Sequence, residues 1–124
     1  MCYDAQRMKG DIIKTNRAVI AFEGADKDST LTGVYLDIGG DIKTVEEILS
    51  YCHRRGHCAP DTDPEFAMTW LVYEAVNKFL SYTGASGMPV RVGPCNTLNC
   101  VNYDNGMYII GDNWSIVNRL YYEK

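Results

Sequence analysis

The stretch that most constrains this chain is residues 31–58, LTGVYLDIGGDIKTVEEILSYCHRRGHC, where an apolar strand breaks at a double glycine and becomes an amphipathic helix. Ile42, Val45, Ile48, Leu49 and Cys52 recur three or four positions apart, so on a helix they form one buried stripe. The spacing also puts Glu46 and Glu47 in the first turn and His53, Arg54 and Arg55 in the last, charges that complement the helix dipole. Gly56 is placed to end the helix.

Around this unit the pattern predicts strands at residues 17–23 and 31–37, joined as a hairpin through the turn-forming GADKDST, with the first strand apolar on both faces and therefore central. Residues 1–16 read as a lead-in with room for a short edge strand. A second helix starts at the cap Asp63, with Pro64 at its first position, and runs to about Tyr82. Met68, Leu71, Val72, Ala75, Val76 and Phe79 make one apolar face, and Phe66, Trp70 and Tyr73 make a second, aromatic one. Only Thr69, Glu74, Lys78 and Ser81 read as solvated. The last third is read as β: residues 88–92, a loop at 93–99, residues 101–103 and 107–110 joined across Asn105-Gly106 as a hairpin, and a final strand at 114–122. The order ββααββββ predicts a single α+β domain, a mainly antiparallel sheet of five to six strands with two helices packed on one face.

Composition narrows the function classes. The formal charge of −4 lacks the basic excess that duplex nucleic acid demands. No apolar run has transmembrane length and MCYDAQRMKG lacks a signal-peptide core, so a cytoplasmic protein is expected, with its five cysteines as reduced thiols. Cys52, His53, His57, Cys58, Cys95 and Cys100 include residues zinc accepts, but at spacings looser than structural zinc sites use. A thiol- or zinc-dependent enzyme, or a zinc-stabilised module, is the alternative class. No nucleophile elbow, metalloprotease motif or phosphate-binding glycine loop occurs, so no catalytic residue, metal ligand or cofactor is assigned. Gly39-Gly40 reads as a tight turn rather than an anion cradle.

The concentrated positive charge is His53, Arg54, Arg55 and His57. An arginine fork holds phosphate or carboxylate bidentately, which makes these four the candidate ligand-binding residues. Phe66, Trp70 and Tyr73 are the candidate interface, and the excess apolar surface on their helix predicts a homo-oligomer.

The strand Gly33-Val34-Tyr35, the turn at Gly39-Gly40, the helix from Thr44-Val45 to Ile48-Leu49 and the late Tyr108 strand together resemble small uncharacterised α+β accessory proteins of phages and prophages. Those proteins place Val-Tyr before an Asp-Gly turn and a helix, where this chain has Asp37-Ile38-Gly39-Gly40. The resemblance spans about residues 31–122 and carries over no catalytic residue. It implies a non-catalytic binding protein in the host bacterial cytoplasm. Such a protein would antagonise bacterial immunity by sequestering a nucleotide-like anionic signal or by blocking a host protein.

Overall fold

The computed structural model describes residues 16–83, 89–98 and 104–121. In chain order these form β1 (Ala18–Phe22), β2 (Thr32–Leu36), α1 (Ile42–Arg54), α2 (Pro64–Thr83), β3 (Val90–Pro94), β4 (Met107–Ile110) and β5 (Ile116–Leu120). The strands make one sheet in the order β3-β2-β1-β4-β5. This is the α+β fold that the segregated strand and helix patterns predict. One pairing departs from the antiparallel expectation: β1 and β4 run parallel, with Ile20 opposite Tyr108, so the sheet is mixed. β1 and β2 pair antiparallel as the expected hairpin.

Burial explains why β1 lies at the centre. Ala18 and Ile20 face the core shared with both helices, and Val19 and Ala21 face a second cluster with Tyr35, Cys95, Leu98, Met107 and Ile109. A strand apolar on both faces is stable only where both faces are covered. Val45, Ile48, Leu49 and Cys52 of α1 and Ala67, Leu71, Ala75 and Phe79 of α2 lie in the first cluster, so both helices cover one face.

The double glycine is required by close packing. Gly39 has φ +69°, a left-handed conformation, and any side chain there would run into the Phe79 ring. A side chain at Gly40 would meet Ala18 Cβ at 2.7 Å, while the Gly40 carbonyl accepts a buried 2.7 Å hydrogen bond from the Tyr108 hydroxyl. The turn therefore packs the entrance of α1 against the sheet. Asp41 caps the helix, accepting from the Thr44 N–H (3.1 Å) and hydroxyl (3.0 Å). The side-chain cap thus satisfies one of the N–H groups left open at the helix start. Because α1 begins at Ile42, Glu46 and Glu47 sit in its second turn, not the first.

Several boundaries move. β3 extends into Gly93 and Pro94, which pattern alone reads as loop, and a 3-10 turn at Cys95–Thr97 follows. Among the described residues β4 lies between β1 and β5. The expected strand at 101–103, the lead-in at 1–15 and Tyr122 lie outside the described residues. The last strand starts at Ile116 because residues 112–114 form a 3-10 turn. Among the described residues no helix is long and apolar enough to cross a membrane.

Candidate functional site

The cluster at the end of α1 is built by how the helix stops. Arg55 is the cap residue and Gly56 takes φ +72°. The Gly56 N–H donates to the His53 carbonyl and the His57 N–H to the Cys52 carbonyl, both at 3.1 Å. These two bonds form the reverse turn of a Schellman motif, which satisfies carbonyls left open at a helix end. The turn sends Arg55 and His57 back toward α2, while His53 and Arg54 stay on the exposed side of α1.

What Arg55 and His57 meet there is Glu74. Its sequence position reads as solvated, yet the residue is 1% exposed and is the buried charged residue of the described core. His57 Nε2 lies 2.9 Å from Glu74 Oε2, and Arg55 Nε lies 3.3 Å from the same oxygen. A carboxylate out of water needs such partners, because its desolvation otherwise costs several kcal/mol. The His57 ring is itself stacked on Trp70, with centroids 3.9 Å apart and planes 7° from parallel. The His57 carbonyl accepts a 3.2 Å hydrogen bond from Trp114 Nε1. The loop after α1 is thereby tied to α2 and to the 112–114 turn at once.

The four basic candidates therefore divide. Arg55 and His57 are committed to Glu74. Arg54 stays exposed, its guanidinium carbon 5.2 Å from the Tyr51 ring centre, and makes no ion pair among the described residues. It borders an open groove of about 410 Å³ with Lys43, Glu46, Glu47, Ser50 and Tyr51. Glu47 in that groove is ion-paired by Lys78. His53 lines a second groove, of about 420 Å³, between α1 and residues 113–116. The grooves share Glu46 and Ser50, so they flank one ridge on the outer surface of α1.

The wall of the second groove contains a feature that pattern reading misses. Asn113 (φ 54°) and Trp114 (φ 63°) are both left-handed, a conformation rare for a bulky side chain. Trp114 is held there by burial, by its bond to the His57 carbonyl and by an edge-on contact with Phe22 at 6.2 Å. Gly111 N–H to Ser115 carbonyl (2.9 Å) and Ser115 N–H to Asp112 carbonyl (3.0 Å) close the turn around it. The one sequence signal was Gly-Asp-Asn, a turn-forming run placed before an aromatic residue.

The aromatic candidates divide as well. Trp70 is half-buried and occupied by His57, whereas Phe66 and Tyr73 are 54% and 48% exposed. Cys52 is fully buried, and burial followed by the nearby Glu74 charge pushes its thiol up to about 12, far from a thiolate nucleophile. Cys95 belongs to the cluster on the opposite sheet face and so is separated from Cys52 by the sheet itself. Cys58 is exposed, and Cys100 lies outside the described residues. Among the described residues no three histidine, cysteine or acidic side chains are gathered as metal ligands. Comparison with family models, curated protein sequences and solved structures finds no match.

Proposed function

We propose that this chain is a non-catalytic binding protein that holds a phosphate-bearing, nucleotide-like anion on the outer face of α1, with Arg54 as the anchoring cation. The observation that carries this reading is the division of the arginine pair. Both guanidinium groups lie over the Tyr51 ring, but Arg55 is ion-paired to Glu74, while Arg54 makes no ion pair among the described residues and stands beside Lys43 and Ser50. A braced guanidinium offers a planar fork to two phosphate oxygens at a reduced ordering cost. Lys43 adds a point charge, Ser50 a hydroxyl donor, and Lys78 offsets Glu47. His53, in the adjoining groove, adds an imidazole N–H donor. In the phage setting implied by the sequence resemblance, such a protein would withdraw a nucleotide signal from bacterial immunity.

The test is calorimetric titration of the protein with a nucleoside triphosphate, a linear dinucleotide and inorganic phosphate, repeated with Arg54→Ala. The proposal expects binding of at least one nucleotide, weakened by salt and reduced at least about tenfold in the variant, since hydrogen bonds to a charged group contribute roughly 1.5–3 kcal/mol. If none of these probes binds, or if Arg54→Ala binds as tightly as the parent, the proposal fails. Binding of an acidic protein surface in place of every nucleotide would also overturn it.

A further inference from the structure

The outer face of α2 is matched to itself. Between Phe66 and Leu80 the exposed residues of this helix are Phe66, Thr69, Tyr73, Asn77 and Leu80. At 100° per residue these five fall within about 80° of arc, so they form one stripe. None is charged, and Phe66, Tyr73 and Leu80 remain 54%, 48% and 47% exposed. The stripe is also symmetric about Tyr73, because positions seven before and seven after are Phe66 and Leu80, and four before and four after are Thr69 and Asn77.

We infer that this stripe is the contact between two copies of the chain, their α2 helices antiparallel across a two-fold axis at Tyr73. In that register the Phe66 ring of each copy packs on Leu80 of the other, and the two Tyr73 rings meet at the axis. Asn77 of each copy lies opposite Thr69 of the other. The Thr69 hydroxyl donates to its own helix, to the Glu65 carbonyl at 3.2 Å. Its oxygen keeps acceptor capacity for the Asn77 amide, so the polar pair is satisfied as the apolar pairs close. An isologous contact requires a surface complementary to itself, and here every exposed residue of the stripe has a fitting opposite. Having no charge, the stripe gives no like-charge repulsion between copies and nothing to steer a charged partner. The patch is narrow, about one helix wide, so dimerisation is expected in the micromolar range rather than below it.

Sedimentation of the full chain tests the association, and cysteine cross-linking tests the register. With rising concentration the mass should climb from 14.0 kDa toward twice that value. Tyr73→Glu, which sets two like charges at the axis, should stay monomeric with an unchanged helical circular dichroism spectrum. Under mild oxidation Tyr73→Cys should form a covalent dimer well beyond the parent's own background. Phe66→Cys should not, because its two copies would be about 21 Å apart along the antiparallel pair. A mass that stays at the monomer value at high micromolar concentration overturns the inference and leaves the stripe to a different protein. A Tyr73→Glu dimer as tight as the parent, or equal cross-linking from both cysteine positions, overturns it as well. Nucleotide binding at Arg54 and association through α2 are read by separate variants, so either can fail without the other.

Discussion

Glu74 decides the character of the polar cluster. Its two partners are unequal: His57 is nearly enclosed, whereas the Arg55 side chain is 52% exposed and its pairing is screened by water. Removing the carboxylate strands His57 in a confined position, so Glu74→Ala is expected to cost about 3 kcal/mol in urea denaturation. Glu74→Gln keeps an acceptor for His57 and should cost about 1 kcal/mol. Arg54→Ala touches no buried partner and should stay within about 0.5 kcal/mol of the parent. Equal losses for Arg54→Ala and Glu74→Ala would show that the two arginines are not divided as described. The sequence exposes the charges of this cluster but not their allocation. On the helical wheel Glu74 lies between Trp70 and Leu71, a lone carboxylate at the edge of an apolar arc. Its burial depends on the turn after α1 bringing Arg55 and His57 across, a tertiary fact with no local signature.

At the scale of elements, α1 is fixed at both ends by short-range chemistry, and this is why its limits are readable. Asp41 shows the balance: burial pushes its carboxyl up, but the bonds from Thr44 and Asn16 outweigh that and hold it below the ordinary carboxylate value of 3.8. A carboxyl whose folded value is lowered stabilises the fold above its unfolded value and loses that contribution as pH falls through the folded one. Asp41→Ala should therefore cost about 1 kcal/mol at neutral pH, with the difference from the parent shrinking as pH drops below about 4. A difference constant down to strongly acid pH would contradict this reading of the cap. Asp63 and Pro64 fix the start of α2 in the same local way, with Asp63 Oδ1 accepting from the Phe66 N–H at 3.2 Å. The β5 start was only partly legible, because the turn signal Gly-Asp-Asn stops before Trp114, an aromatic residue that suits a strand yet here ends the 3-10 turn in a left-handed conformation. The parallel β1-β4 pair was equally hidden, since neighbours in a sheet are chosen by how the connections run, and alternation within a strand does not encode them.

On the molecule as a whole, one sheet with two helices on a single face leaves two helical surfaces outward, and they differ in chemistry. The surface of α1 is charged and grooved; that of α2 carries an uncharged stripe between Phe66 and Leu80. A chain of net charge −4 repels anions on average, so an anion is held only where a local cation is left without an internal partner. In the function proposed above Arg54 is such a cation, and Arg55, paired with Glu74, is not. The most direct measurement follows the two guanidinium Nε–H resonances by nitrogen-15 NMR while a nucleoside triphosphate is added. The Arg54 signal should shift to saturation while the Arg55 signal, with its Nε–H beside Glu74, stays in place. An unmoved Arg54 signal, or an Arg55 signal that shifts as far, would contradict it.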